Sequence, residues 1–244
     1  MNLIFLAHAS FLIVTSHGTK IITDPYKTGA FNNAIGYKPI KESADVVLVS
    51  HEHDDHNAVS EVLGNPQIIK GDSNWTFKDV KITGIASYHD TQKGTARGKN
   101  TIFVIEARPS ISQNGYNDTR PKDIKEGRDE ADSLRIVHLG DLGYVLSKEE
   151  CAKIGKVDVL LSPVGGYFTI DSKAATEIMN SLKPSITIPM HYKTTVLDFP
   201  IAKVDDFIKD KKNVKKLNSS EIEISKETLP KAPEIWVLKM LKYE

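Results

Sequence analysis

Cysteine is nearly absent from this chain of 244 residues. The one present, Cys151, excludes a disulfide scaffold and a cysteine-rich zinc module, and it points to a reducing compartment. Surplus charge is absent too, because 32 Lys and Arg balance 32 Asp and Glu. The basic excess usual in nucleic-acid-binding proteins is therefore missing, and none is expected as a partner. Long apolar runs are also lacking. Leu3 to Val14 comes nearest, but His8 and Ser10 interrupt it, and no Lys or Arg precedes it. No small-residue cleavage site follows it, and a bilayer span takes about 20 residues. It reads as two buried strands bent near His8 to Ser10, in a cytoplasmic protein without a membrane span.

What is present fits a folded α/β protein. At about 150 residues per domain the length allows one or two, and residues 1–244 read as one. Short β-rich runs bounded by Gly, Pro, Asp and Asn recur along the chain. They are Leu3–Leu6, Phe11–Thr15, Lys20–Thr23, Val46–Ser50, Gln67–Lys70, Val80–Ile85, Thr101–Glu106, Arg135–Leu139, Val157–Ser162, Ser185–Pro189 and Ile235–Leu241. Helical patterns fall at Asn57–Leu63, Lys148–Ile154, Ser172–Leu182 and Ile201–Lys211. Ser147 with Glu150 forms a capping-box signature, and Asp171 is a second N-cap. Arg108–Ser133 holds almost no large apolar residue and reads as a polar surface insertion between two strands, a long loop or a lid.

Three of the eight histidines fall in Ser50-His51-Glu52-His53-Asp54-Asp55-His56, directly after the apolar strand Val46–Ser50. In an extended segment residues two apart face the same way, so His51 and His53 can grip one ion. Asp55 and His56, placed at the start of a helix, can point at a second. Three further candidates also follow strands: His89 after Val80–Tyr88, Asp141 after Arg135–Gly140, and His191 after Ser185–Met190. In α/β folds ligands gather beyond the carboxyl ends of strands, so four strands would deliver His or Asp to one edge. Imidazole and carboxylate together suit zinc, iron, manganese or nickel.

The run His51-x-His53-x-Asp55-His56, followed by His89, Asp141 and His191, resembles the metallo-β-lactamase superfamily. Softer cues are Leu6-Ala7-His8-Ala9, Thr23-Asp24-Pro25, Asn100-Thr101-Ile102-Phe103, His138-Leu139-Gly140-Asp141, Pro163-Val164-Gly165-Gly166 and Pro189-Met190-His191-Tyr192. They are similar to the branch with the L-ascorbate-6-phosphate lactonase, a set of metal-dependent hydrolases and, more distantly, the phospholipase D acting on N-acyl phosphatidylethanolamines. The resemblance implies an αββα four-layer sandwich and two divalent ions, zinc first. It implies that His51, His53 and His89 hold one ion, that Asp55, His56 and His191 hold the other, and that Asp141 bridges. Asp55 would orient a bridging hydroxide, and Asp55 and Asp141 would be the catalytic pair. Redox relatives carry Glu at the position of His53, so the histidine favours hydrolysis.

The implied reaction is hydrolysis of an ester-type bond in a small, anionic substrate, a lactone or phosphorylated sugar lactone. A phosphodiesterase and a non-catalytic metal-binding or scaffold protein are the alternatives. Arg97, Tyr167 and Lys193 are candidate substrate contacts: two cations for an anionic end, and an aromatic pocket wall that includes Phe168. His8 and Asp24 are candidates to orient ligands, Asp24 by accepting from a ligand histidine. His138 is a weaker candidate of the same kind, since its place on a buried strand favours a core role. The sequence is also compatible with a homo-oligomer.

Overall fold

The computed structural model describes residues 1–108 and 133–243. All of the predicted polar insertion except its end residues, Arg108 and Ser133, lies outside the described residues. Among the described residues fourteen strands form two mixed sheets. The first holds β1 (Asn2–Ala7), β2 (Ser10–Val14), β3 (Lys20–Thr23), β4 (Val46–Val49), β5 (Gln67–Lys70) and β13 (Glu221–Glu223), in the order β13-β1-β2-β3-β4-β5. The second holds β6 (Asn74–Phe77), β7 (Val80–Tyr88), β8 (Lys99–Ala107), β9 (Leu134–His138), β10 (Val159–Pro163), β11 (Ile186–Met190), β12 (Val214–Lys216) and β14 (Glu234–Val237). Its order is β12-β14-β11-β10-β9-β8-β7-β6. The runs β3-β4-β5 and β9-β10-β11-β14-β12 are parallel, and the remaining pairs are antiparallel.

Alternation along the strands explains how the sheets stack. Leu3, Phe5, Phe11, Ile13, Val46 and Leu48 share one core with Ile82, Phe103, Ile105 and Ile136 of the second sheet. Their neighbours Leu6, Leu12, Val47 and Val49 face the other way, into a separate cluster. Side chains two apart share a face, so strands this apolar are buried on both sides. The outer face of the second sheet is covered by helices α1 (Lys148–Ile154) and α2 (Ser172–Leu182). The Ser147–Glu150 capping box opens α1, and Asp171 accepts the Ala174 N–H at 2.9 Å to open α2. A third helix, α3 (Val204–Ile208), packs against α2.

The outer face of the first sheet is covered mainly by irregular chain. Tyr26, Ile35, Tyr37, Ile40, Leu197, Phe199 and Ile201 pack there. The helix expected at Asn57–Leu63 is a single 3-10 turn, Val59–Glu61, because the Ala58 N–H is drawn to Pro25 O at 2.8 Å and no side chain caps the turn. The helix expected from Ile201 starts at Val204, because Ala202 N–H bonds Gly165 O and Ala202 O accepts from Lys193 N–H. The strands β6, β12 and β13 have no counterpart among the predicted runs. They are short and mostly exposed, and two are dominated by charge, so no alternation marks them.

Candidate metal centre

β3 and β4 run parallel, so their ends place Asp24 and Ser50 side by side. Asp24 Oδ1 accepts the Ser50 N–H at 2.7 Å. Its Oδ2 accepts from the Ser50 hydroxyl at 2.6 Å and from His56 Nδ1 at 2.9 Å. Having donated its proton to Asp24, the Ser50 hydroxyl can only accept from His51 Nδ1, 3.0 Å away. His51 and His56 thus keep a proton on Nδ1 and turn Nε2 toward the cavity, the usual arrangement of metal-binding imidazoles.

Asp141 follows β9 through Gly140. Its N–H donates to Asn100 Oδ1 at 2.9 Å, and the Asn100 amide donates to Ser87 Oγ and Leu139 O. Gly140 is at φ 56, and a Cβ there would lie 2.4 Å from Asn100 Oδ1 and 2.6 Å from Ser50 Cβ. Only glycine fits so close an approach. His191 leaves β11 at φ 49 and donates its N–H to the carbonyl of His8, itself at φ 56 in the β1–β2 turn, at 2.9 Å. Left-handed backbone is uncommon for such residues and here aims two imidazoles at one point.

Asp141 stands at the centre. Its Oδ1 is 3.2 Å from His56 Nε2. Its Oδ2 is 3.2 Å from His89 Nε2, 3.3 Å from His191 Nε2 and 3.8 Å from His51 Nε2. Three overlapping groups have ligand atoms within 4.8 Å of one another: His51, His53 and His89; His51, His56 and Asp141; His8, Asp55, His56 and His191. His51 Nε2, His56 Nε2, His191 Nε2, Asp55 Oδ1 and Asp141 Oδ1 are buried without a hydrogen-bond partner. Each such atom costs on the order of 1–3 kcal/mol. Divalent cations would satisfy all of them, so the residues present fit such ions.

The electrostatics divide the histidines. Burial, helped by His56, pulls His51 down to about 3, and burial with His191 pulls His8 down to about 4. His53 falls as well, through burial and then His89. Burial also pushes His56 and His89 down, but Asp141 before all other neighbours reverses the sign, and both are raised. Asp55 and Asp141 lie well below the usual carboxylate range. Burial raises them, and the surrounding histidines, His56 first for Asp55 and His191 first for Asp141, outweigh it.

The structure brings all seven predicted ligands together, although the local reasoning behind four of them needs correction. Residues 51–56 are not extended, and Asp55 and His56 open no helix; the segment is a succession of bends and turns, with His56 N–H bonded to His53 O at 2.9 Å. That turn still places the His51 and His53 rings 4.6 Å apart. His8 joins them: its Nε2 lies 3.1 Å from Asp55 Oδ2, and its ring centre 4.1 Å from that of His191. Asp24 orients His56, as described. His138 is a core residue, with Nε2 donating to Ala9 O at 2.9 Å and Nδ1 accepting from Gly140 N–H at 3.1 Å.

A cavity of about 270 Å³ opens over His53, Asp55, His89, Asp141 and His191, and Phe31, Ala96, Arg97, Phe168 and Phe199 wall it. Arg97 lies over the Phe168 ring, 5.7 Å from its centre, and donates to Phe168 O at 3.2 Å. Tyr167 packs on Phe168 at 4.7 Å and is otherwise open to solvent. Lys193 is not brought to the cavity. Its Nζ donates to Phe199 O at 2.9 Å and lies 3.4 Å from Asp198 Oδ1.

Sequence reasoning missed several residues. Ser50 and Asn100 stand inside recognised motifs, but only the folded contacts reveal what they hold. Asp90 accepts from the N–H groups of Gln92, Gly94, Ala96 and Arg97 and so shapes the Arg97 loop. Burial raises its carboxyl, and these four donors bring it below the usual range. An Asp followed by Thr, Gln, Lys and Gly is a turn signal that could have exposed it. Phe31 and Phe199 come from segments with no ligand of their own, and no local pattern marks them.

Residues 2–112 and 128–191 match the model of the β-lactamase superfamily domain, so the intervening gap falls inside the polar insertion. A UPF0173 metal-dependent hydrolase of Archaeoglobus fulgidus is 30% identical over 218 residues, covering 84% of this chain and 87% of its own. Another, from Pelotomaculum thermopropionicum, is 33% identical over 204 residues, covering 80% and 85%. The crystal structure of a protein assigned to the Zn-dependent hydrolases of the metallo-β-lactamase superfamily, from Thermotoga maritima, superposes with a TM-score of 0.72. It is 32% identical and covers 98% of this chain and 99% of its own. With its two stacked sheets and the His and Asp cluster at their edge, the chain belongs to the metallo-β-lactamase superfamily, among the UPF0173 metal-dependent hydrolases.

Proposed function

We propose that this metal-dependent hydrolase cleaves a carboxylic ester bond, lactones foremost, with two divalent ions, zinc first among them. The observation that carries the reading is the set of unpartnered buried nitrogen and oxygen atoms around Asp141, at the floor of an accessible cavity. His51, His53 and His89 would hold one ion, Asp55, His56 and His191 the other, and Asp141 would touch both. Such ions bring the pKa of water toward neutrality and polarise the carbonyl that is attacked. The chain's own part is orientation. Asp24 and Ser50 fix the imidazoles of His56 and His51, Asn100 fixes the Asp141 backbone, and His8 holds one oxygen of Asp55. The other oxygen, Oδ1, has no partner; it would serve the second ion and, with its remaining lone pair, orient the attacking water. No serine or cysteine nucleophile is required, and the half-buried Cys151 is far along the chain in α1. A single free cysteine also fits a cytoplasmic enzyme.

The test compares two variants on an activated ester. Asp141→Ala should lower kcat by at least a hundredfold and reduce bound metal by elemental analysis. Lys193→Ala should keep both near the wild-type value, because its ammonium is engaged with Phe199 O and Asp198. Full metal and full kcat in Asp141→Ala would remove the support for a two-ion site.

A further inference from the structure

The cavity over the metal centre has a chemical character that its floor does not share. Three rings stand around it: Phe31 and Phe168 each meet Phe199 edge to face, at 5.6 Å and 5.2 Å. Phe199 is buried, but Phe31 is 49% exposed, and Tyr167 beside Phe168 is 64% exposed. Among the described residues these are two of six large exposed hydrophobic side chains; Phe31 lines the opening itself, and Tyr167 packs on Phe168, which does. Single exposed apolar residues need no explanation, whereas apolar side chains gathered at a concave site usually meet a ligand.

The backbone under these rings is unusual as well. Phe31, Asn32 and Asn33 lie at φ 52, 55 and 67, and Tyr167 lies at φ 61. Left-handed backbone is a genuine outlier for an aromatic residue and costs free energy that the surrounding structure must offset. The strain falls on the two segments that lift rings to the rim.

Above the floor, cationic charge on the cavity wall is sparse. Among the described residues Arg97 is the only Lys or Arg lining it, and its guanidinium already lies on Phe168 and donates to Phe168 O. The carboxylates of Asp55 and Asp141 face the same space. The part of a substrate held among the three phenylalanine faces leaves water without meeting a charge, so an alkyl or aryl group is favoured there, and a charged group is favoured only at the floor where the ions would sit.

We propose that this cavity is an uncharged acyl or aryl pocket, and that the substrate is a carboxylic ester or lactone bearing an alkyl or aromatic group of medium size. The proposal rests on the ester-hydrolase reading and narrows it away from phosphorylated sugars. A cavity of about 150 Å³ takes up a benzene, so the cavity of about 270 Å³ has room for a benzene ring with a short linker, or a hexanoyl chain. In the reaction the water oxygen bonds to the carbonyl carbon and the ester C–O bond breaks. Of the two protons of the attacking water, one goes to the departing alkoxide, which becomes the alcohol, and the other goes to solvent, so the apolar acid is released as its carboxylate; in a lactone the alcohol and carboxylate stay in one molecule.

The test uses full-length, zinc-loaded protein and p-nitrophenyl acetate, butyrate and hexanoate, with p-nitrophenyl phosphate alongside. Each methylene that enters the pocket should raise kcat/KM about fourfold, so hexanoate should exceed acetate by a factor of tens to hundreds. Phe31→Ala, at an exposed position, should cut that ratio at least fivefold, and Phe31→Leu should recover most of it. A second arm needs no turnover: calorimetric titration of hexanoate and phenylacetate, against inorganic phosphate and glucose 6-phosphate. Phe31→Ala should weaken the apolar acids and leave the two phosphates unchanged. Chelator-sensitive ester hydrolysis with no chain-length preference would overturn the pocket and leave the hydrolase reading standing. So would binding of hexanoate and phenylacetate that Phe31→Ala leaves unchanged. If no ester is cleaved, the hydrolase reading fails, and the binding arm alone decides the pocket.

Discussion

At the scale of single residues, the centre depends on side chains that touch the ligands from behind. Asp24 accepts three hydrogen bonds and fixes His56. Asp24→Asn replaces one acceptor oxygen with a donor, so the imidazole and Ser50 lose a common partner. The variant should fold and bind zinc about 10–100-fold more weakly, measured by competition with a chromogenic chelator. Equal affinity would show that Ser50 and burial suffice to orient the ring. His8 gives a prediction in pH. Its folded value of about 4 lies below the ordinary 6.5. Between those limits the unfolded chain binds more protons than the folded one, so stability falls as pH drops from 6.5 to 4. His51 acts in the same direction, while the raised His56 and His89 act in the opposite one, lending stability at low pH that fades as pH rises. His8→Asn removes one contribution, on the order of 3 kcal/mol at most. In metal-free protein its urea midpoint should therefore decline less between pH 6.5 and 4 than that of the wild type. Parallel declines would show that His8 does not titrate this way.

At the scale of elements, the site is a set of strand ends, and this is why so much of it is readable in advance. β4, β7, β9 and β11 are apolar runs that stop one to three residues before His51, His89, Asp141 and His191. An apolar run and a polar residue just beyond it are both visible in one dimension. The helices α1 and α2 match their predicted bounds because Ser147 and Asp171 announce them chemically. Contacts between segments stay hidden. Nothing local shows that the His8 carbonyl meets the His191 N–H, that Ser50 lies under Asp24, or that Phe31 hangs over the cavity. The edge strands β12 and β13 are invisible for another reason: so much charge in three residues carries no period. Two substitutions separate these kinds of information. Ser147→Ala should cost about 1 kcal/mol through the lost cap and leave metal content untouched, read by thermal unfolding and elemental analysis. Gly140→Ala should do the reverse of sparing the site. Its Cβ would collide with Asn100 and Ser50, so Asp141 should shift and metal content should fall even where the protein stays folded.

At the scale of the whole molecule, the metal centre and the packing of the two sheets are one problem. The cluster takes His8, His51, His53, Asp55 and His56 from the first sheet and His89, Asp141 and His191 from the second. Removing the ions should therefore lower the stability of the entire sandwich. With free zinc at a hundred times its dissociation constant the loss is about 2.7 kcal/mol, equivalent to a fall of roughly 5–10 °C in Tm, measured by calorimetry before and after chelation. An unchanged Tm would mean that the folded and unfolded chains bind the metal equally. The same edge is closed by backbone: Thr101 N–H bonds Ser50 O at 2.9 Å, and His191 N–H bonds His8 O at 2.9 Å. These bonds join residues distant in sequence and on opposite sheets, and contacts of that kind form late, after the loops between them have closed. The ion thus has no complete cage to enter until the chain has nearly finished folding. Zinc present in a refolding experiment should leave the folding rate unchanged and slow unfolding alone, so that the metal acts as a latch on the finished protein and takes no part in assembling it.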